Sequence, residues 1–368
     1  MRYAGVSVIF AIGDVHGCVD ELRLLLNRLP RTSETTLVFL GDYVDRGPAS
    51  REVIDTILEL QQRYKVVALK GNHEVMFQNY LRDPESAAAG AFIYNGGSAT
   101  LASYADANGE VTISEAHRKF LNTRPLIYEG EHNVFVHAGL PRIPLAEIDP
   151  RRDEATLLWT RGRFLTTNYD WGKVVVHGHT PVARVTLRPN RINLDTGCVF
   201  DGRLSAIALP GETRFSVKRQ HMPQRVVLRD PAGIREAYRF TGTIPVRVRR
   251  GDQVMDFVTV DYSELGMYLR AIDPTSNGRF HEGERIEGIV GPDGPSPVAI
   301  VGIIVREHVN DRGIHYGVKL LDSTPIDPLV VAADPALADD SIVSMIDTSL
   351  ADGSIVDAPL VDAPPADE

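Results

Sequence analysis

The chain has 368 residues, enough for two domains and a tail. It has no apolar run of the roughly 18 residues that a bilayer-spanning helix needs, which excludes a helical membrane protein. Two cysteines are too few for a disulfide framework and fit a reducing cytosol. The net charge of −10 belongs to one end: Asp327–Glu368 carries ten acidic residues and no Lys or Arg, so the rest of the chain is near neutral.

In chain order, the first strand is expected in Val6–Ile12, close enough to the N-terminus that no signal peptide is expected. It ends in Gly13-Asp14-Val15-His16-Gly17. Cys18–Leu29 has leucines at 22, 25, 26 and 29, helical spacing with Pro30 as the stop. Leu37–Leu40 ends in Gly41-Asp42-Tyr43-Val44-Asp45-Arg46-Gly47, and Pro48 opens a second helix with Val53, Ile54, Ile57 and Leu58 on its apolar stripe. Val66–Leu69 ends, after Lys70, in Gly71-Asn72-His73-Glu74. Three short apolar runs separated by helices predict a mainly parallel sheet, buried on both faces, with ligand groups just beyond the strand ends. Cys18 beside the first motif reads as a small buried apolar residue.

Glu74–Lys119 reads as helical and irregular, broken at Gly96-Gly97. Strands return at Asn133–Val136, running into His137-Ala138-Gly139, and at Lys173–Val176, running into His177-Gly178-His179-Thr180. Leu204–Leu209 is expected as a last core strand. The segment His221–Ile234 has two prolines and reads as a linker. Beyond it, Ile244–Val248, Val254–Val260, Gly266–Ala271, Arg285–Val290, Val298–Val305 and Ile314–Leu320 alternate like short strands with no helix between them, which predicts a small β-barrel. The end of the chain, rich in Asp, Ala and Pro, reads as mostly disordered, with a short partner-binding helix in Ser341–Leu350. The chain has no internal repeat.

Strand ends that deliver Asp, His, Asn and Asp side chains toward one rim form the hard oxygen and imidazole set a divalent metal needs. Taken together, the motifs in Ser7–Leu209 resemble the bacterial and phage-type phosphoprotein phosphatases of the calcineurin-like metallophosphoesterase family. The resemblance implies an α/β sandwich with two divalent metal ions, Mn²⁺ first and Fe or Zn²⁺ as alternatives. It implies Asp14 and His16 on one ion, Asp42 bridging both, and Asn72, His137 and His179 on the second. A water between two cations gives up a proton at neutral pH and can attack phosphorus. The resemblance makes His73 the general acid, with Asp45 orienting it, and makes Arg46 and Arg161 a phosphate clamp whose planar guanidinium groups match two oxygens at once. His177 is expected to be a supporting residue, Asp195 to hydrogen-bond near the site, and Glu74 to be as much a helix-start residue as a functional one.

Within that family, Val44-Asp45-Arg46-Gly47 and the terminal Glu74 look like the protein phosphatase branch, which implies a serine/threonine protein phosphatase. Relatives that hydrolyse diadenosine tetraphosphate usually lack the aspartate before the arginine. A lid that sets substrate choice is expected in Leu81–Leu121. A dinucleotide polyphosphate hydrolase and a non-catalytic signalling adaptor are the alternatives.

The barrel segment, from about Arg235 to Asp322, resembles a PilZ domain, a receptor for cyclic di-GMP. The residues that carry the resemblance are Arg235 and Arg239 of Arg-x-x-x-Arg, and Asp261, Ser263 and Gly266 of Asp-x-Ser-x-x-Gly. The residue types suit two phosphates and two guanine edges: arginine binds phosphate bidentately and stacks on bases, Asp261 and Ser263 offer polar contacts, and Gly266 permits close approach. Arg225 and Arg229 form a second Arg-x-x-x-Arg, less favoured because it lies further from the first barrel strand. The expected organisation is phosphoesterase 1–218, linker 219–234, barrel 235–325 and acidic tail 326–368. The expected partners are a phosphoprotein substrate, cyclic di-GMP and a partner of the tail, with no DNA, RNA or membrane, in the cytoplasm.

Overall fold

The computed structural model describes residues 8–220, 228, 237, 240–250, 253–263, 265–272, 279–292, 297–310 and 313–325. Arg225, Arg229, Arg235, Arg239 and the acidic stretch from 326 onward lie outside the described residues. The first region runs β1 (Ile9–Ile12), α1 (Val19–Arg28), β2 (Thr36–Phe39), α2 (Ser50–Leu60), β3 (Lys65–Ala68), α3 (Asn72–Arg82), α4 (Ala87–Phe92), α5 (Ser98–Tyr104) and α6 (Glu115–Asn122). It continues with β4 (Ile127–Glu129), β5 (Asn133–Val136), α7 (Glu154–Trp159), α8 (Gly162–Leu165), β6 (Val174–His177), β7 (Thr186–Arg188), β8 (Arg191–Asn193), β9 (Arg203–Leu209) and β10 (Thr213–Lys218).

Two five-stranded sheets result, β10-β9-β1-β2-β3 and β4-β5-β6-β8-β7. The parallel arrangement expected of the first three strands is present in β1–β2–β3, and the sandwich consists of two mixed sheets. Their centres are parallel (β1–β2–β3 and β5–β6–β8); in one sheet β9 runs antiparallel to both β1 and β10, and in the other β4 and β7 run antiparallel to β5 and β8. The physical reason is loop length: the β4–β5, β7–β8 and β9–β10 connections are hairpins, which only antiparallel strands can use.

Strand alternation explains why the central strands are apolar on both faces. Ala11, Val38, Leu40 and Leu69 meet Phe135, Val176, Ile192 and Leu194 in the layer between the sheets. Phe10, Ile12, Leu37 and Phe39 point the other way, onto Leu22, Leu25, Ile54 and Ile57 of α1 and α2. The central strands are thereby fixed, and the motifs that follow them converge at one rim. Cys18 and Cys198 meet in the core, and Arg219 Nη1 lies 2.6 Å from Cys18 Sγ, so Cys18 has a polar contact that its apolar reading did not foresee.

The Gly96-Gly97 break is a π-turn, Ile93–Gly97, joining α4 to α5, with Gly96 at φ 96°. The second region comprises β11 (Phe240–Thr241), β12 (Pro245–Arg250), β13 (Gln253–Ser263), β14 (Gly266–Ala271), β15 (Arg285–Val290), β16 (Val298–Asn310) and β17 (Gly313–Pro325). Pairing runs β12-β13-β14-β17-β16-β15 and returns to β12, which closes a six-stranded antiparallel barrel with no open edge, and β11 adds onto β13. All six predicted barrel strands are present, and the last two are longer than expected. Phe240, Ile244 and Tyr262 of this region share one apolar cluster with Phe77, Phe92 and Tyr94 of the first. No helix among the described residues is long and apolar enough to cross a membrane.

Candidate active site

The residues of all five motifs come together at the rim. Asp14 and His16 follow β1, Asp42 follows β2, Asn72 and His73 open α3 after β3, His137 follows β5 and His179 follows β6. All seven are buried. They reach one place because the backbone accepts strain: five of the seven non-glycine residues with positive φ among the described residues are His16, Asp42, Asp45, Arg46 and His179. Left-handed backbone outside glycine costs about 1–3 kcal/mol per residue and persists where the surroundings enforce it. Gly71 and Gly178 make room, since a Cβ on Gly71 would collide with Asp42 Oδ1 and one on Gly178 with Asp14 Oδ1.

Asp42 links two groups. Its Oδ2 lies 3.5 Å from His16 Nε2, and its Oδ1 lies 3.4 Å from His137 Nε2. On the His137 side, Asn72 Oδ1 lies 2.9 Å from His137 Nε2 and 3.0 Å from His179 Nδ1, and the two ring nitrogens are 3.2 Å apart. The rings are oriented from behind: His16 Nδ1 lies 2.8 Å from the Val44 carbonyl and His137 Nδ1 lies 2.9 Å from the Leu40 carbonyl. A proton on each Nδ1 leaves each Nε2 with its lone pair facing inward, the arrangement a ligating imidazole needs.

The residues fit divalent cations. Asp14 Oδ1 is buried and has no hydrogen-bond partner among the described residues. Burial and the nearby Asp195 and Asp42 carboxylates push Asp14 well above the usual carboxylate range, and burial pushes Asp42 up to about 7. Burial also lowers His16, His179 and His137, the last to about 4. Protein charge alone therefore does not satisfy the cluster. Inward lone pairs, an orphaned carboxylate oxygen and mutually repelling carboxylates are what cations would resolve. His16, Asp42 and His73 bring ligand atoms within 4.8 Å of one another, and Asp42, His137 and His179 do the same, with Asn72 Oδ1 beside the second group. Asp14, expected with His16, is in neither group, and its Oδ2 accepts from the His179 N–H at 3.0 Å.

Around this set, His73 Nδ1 lies 2.6 Å from Asp45 Oδ2, with both side chains buried. Burial pushes Asp45 up, opposed by a hydrogen bond from Thr100, and burial and the Arg46 guanidinium push His73 down. Arg46 Nη1 lies 2.8 Å from His16 Nε2, and Arg161 Nε donates to His179 Nε2 at 3.1 Å, so the two guanidinium groups reach opposite members of the ligand set. Phe200 supports Arg46, its ring 5.2 Å below the guanidinium carbon. Asp195 is buried next to the cluster and accepts from the Gly197 N–H at 3.0 Å, and His177 packs edge-on against Phe164.

Glu74 does more than open a helix. Its Oε2 accepts from the Gly71 and Asp42 N–H groups (2.8 and 2.9 Å), and its Oε1 accepts from the Tyr43 N–H (2.8 Å). Fully buried, it ties the third motif to the second and fixes the backbone of the shared aspartate. Burial and the neighbouring Asp42 carboxylate push it up to about 7, against the Gly71 and Tyr43 donors. Thr100 went unnoticed in the sequence: its hydroxyl takes the Asp45 N–H and donates to Asp45 Oδ1, both at 2.7 Å.

In the barrel, Asp261 and Ser263 end β13 and Gly266 starts β14. Ser263 is buried, and its hydroxyl closes this hairpin, donating to the Gly266 carbonyl at 3.2 Å and accepting from Leu265 N–H at 3.3 Å. A Cβ on Gly266 would collide with the Val318 carbonyl, so the close approach this glycine permits is to β17.

A model of the calcineurin-like phosphoesterases matches residues 7–200, and a model of the PilZ domain matches residues 234–330. The asymmetrical bis(5'-nucleosyl)-tetraphosphatase PrpE of Anoxybacillus flavithermus is 30% identical over 234 residues, which cover 56% of this chain and 92% of that protein. The Bacillus subtilis protein of the same name is 31% identical over 234 residues, again 56% of this chain and 92% of that one. Among solved structures, the cold-active protein-tyrosine phosphatase of a psychrophilic Shewanella matches with 20% identity and a TM-score of 0.40, covering 61% of this chain and 81% of that one.

Two outcomes follow from the geometry. Divalent metal must displace protons from Asp42, whose carboxyl is pushed up to about 7. The rise in melting temperature on adding Mn²⁺ is therefore expected to grow as pH climbs from about 6 to 8 and to shrink as pH falls, which calorimetry at several pH values will show. Glu74→Gln puts an amide where three backbone donors need an acceptor, and should weaken Mn²⁺ binding by about 10- to 100-fold in a titration of metal-free protein.

Proposed function

We propose, from the premise that the chain belongs to the calcineurin-like phosphoesterase family and carries a PilZ domain, that it is a serine/threonine protein phosphatase controlled by cyclic di-GMP. Residues 1–218 would be the catalytic unit, 219–234 the linker, 235–325 the sensor and 326–368 an acidic tail. Two divalent ions, Mn²⁺ first among those the ligand set accepts, would be held by Asp14, His16, Asp42, Asn72, His137 and His179. When bound, they supply an acidified water and offset the charge of the phosphate.

The observation that carries the reading is the buried His73–Asp45 pair. A serine or threonine alkoxide is too basic to leave phosphorus without a proton. His73 Nε2, 3.9 Å from Asp42 Oδ2, faces the ligand set and is placed to give that proton. Asp45, on the far nitrogen, fixes the ring and supports its charged form. A bound phosphate brings negative charge beside His73 and works against the burial and the Arg46 charge that lower it. Arg46 and Arg161 would grip the phosphate oxygens in pairs.

The relatives' printed names favour a second reading, asymmetrical hydrolysis of dinucleoside tetraphosphates. There the leaving group ends in phosphate, a stable anion at neutral pH, and needs a general acid far less. On the sensor side, Arg235, Arg239 and Asp261 would meet cyclic di-GMP, while Ser263 and Gly266 would shape the hairpin that presents Asp261.

The substrates can be separated on one Mn²⁺-loaded preparation. His73→Asn should retain metal and lower turnover of a phosphoserine peptide by about 10²–10⁴. A wild-type enzyme that cleaves diadenosine tetraphosphate and leaves the peptide intact establishes the second reading instead. Arg239→Ala should abolish cyclic di-GMP binding by calorimetry while basal peptide turnover stays at the wild-type rate; a parallel fall in basal turnover would make the barrel a structural support.

A further inference from the structure

We infer that Thr100 is a positioning residue for the His73–Asp45 pair, and that the π-turn before it links that pair to the barrel through the contact of Tyr94 with Tyr262. The second half of this inference rests on the reading of the barrel as the nucleotide sensor of this enzyme.

On the catalytic side, Asp45 and Arg46 have positive φ, 74° and 69°, and need outside contacts to stay there. Ser50 Oγ at the start of α2 accepts from the Asp45 N–H at 3.2 Å, and the other contacts come from the segment after α4. The Arg46 N–H donates to the Gly96 carbonyl at 3.0 Å. Gly96 itself has φ 96° and lies so close that an added Cβ would meet the Arg46 N at 2.8 Å. One helical turn later, Thr100 closes a ring with Asp45, taking its N–H and giving a proton to Oδ1, while Oδ2 holds His73. Thr100 is fully buried, so water does not substitute for it.

On the other side, the same π-turn lies against the barrel. The Tyr94 ring packs on Tyr262 with centroids 5.4 Å apart, and the Tyr94 carbonyl accepts from Ser323 Oγ of β17 at 2.9 Å. One residue, Asn95, separates Tyr94 from Gly96. Gly90 of α4 leaves room for Ile244, whose Cδ1 occupies the place of a Cβ. Tyr262 stands between Asp261 and Ser263, inside the stretch expected to meet the nucleotide, and strand alternation sends it the opposite way from both. Its hydroxyl is buried with no hydrogen-bond partner among the described residues, a polar group left unpaired at the junction. A shift of the β13–β14 hairpin therefore moves Tyr262, and through Tyr94 and Gly96 it moves the backbone that aims Arg46 and Asp45.

The test uses the full chain loaded with Mn²⁺, a phosphoserine peptide, and cyclic di-GMP itself. Thr100→Val should lower kcat by about 10- to 100-fold with KM, metal content and nucleotide affinity within about twofold of wild type, and Thr100→Ser, which restores the hydroxyl, should bring kcat back. A Thr100→Val enzyme with wild-type kcat, or a Thr100→Ser enzyme as slow as Thr100→Val, overturns the positioning role. Tyr94→Leu and Tyr262→Leu, on the two sides of the contact, test the link. Wild-type kcat should change about 5- to 150-fold on saturation with cyclic di-GMP, and either variant should bind the nucleotide with the ratio of the two rates near one. A ratio kept at the wild-type value in both variants overturns the link alone. A wild-type enzyme that binds cyclic di-GMP with no change in rate overturns the regulatory reading of the barrel and the link with it, leaving the Thr100 result to stand on its own.

Discussion

Asp42 has both carboxylate oxygens in use, one toward His16 and the other toward His137, in a buried site. A carboxylate in that setting resists ionising, and burial pushes it up to about 7. Nearly everything around it can be understood as keeping it in place and making its charge tolerable. Glu74 holds its N–H, His73 donates a backbone N–H to its Oδ1 at 3.2 Å, and Gly71 stays small so that the oxygen fits. Cations on either side of such a carboxylate would offset the charge that burial makes costly.

The scaffold explains why the arrangement is stable. Each central strand is clamped by one apolar layer between the sheets and another beneath the helices. Rigid strand ends allow loops to hold left-handed residues that would relax elsewhere. The strain is local to the rim: His16, Asp42, Asp45, Arg46 and His179 carry it, while the strands beneath stay regular.

The convergence of Asp14, His16, Asp42, Asn72, His137 and His179 on one rim was legible in the sequence because each travels with the strand that delivers it, in one short string of residues. The barrel was legible for a similar reason, since alternation and glycine turns are local signals. What escaped was set by long-range packing. Thr100 finds Asp45 across 55 positions, and no periodicity in α5 marks it. Glu74 shows both of its readings at once, capping α3 through Gly71 and reaching the second motif. Ser263 was read as a nucleotide contact from its motif, and its role in closing the hairpin was not read there. The antiparallel strands β4 and β7 are three residues each, too short for a pattern to show.

The magnitudes make the junction between the two regions more than a packing detail. Allosteric couplings are typically about 1–3 kcal/mol. A left-handed non-glycine residue stores about the same amount, and one lost hydrogen bond to a buried backbone group costs a comparable sum. Arg46 and Asp45 are two such residues in a row, and bonds to Gly96 and Thr100, with Ser50 beside Thr100, hold them. A small movement at Tyr94 therefore acts where stored strain and support nearly balance, and no large rearrangement of the sheets is required to change how well His73 is aimed. The same movement at the metal ligands would meet Glu74 and two rigid strand ends, and would do far less. If the barrel governs this enzyme, the His73–Asp45 side of the site is where the fold lets it act.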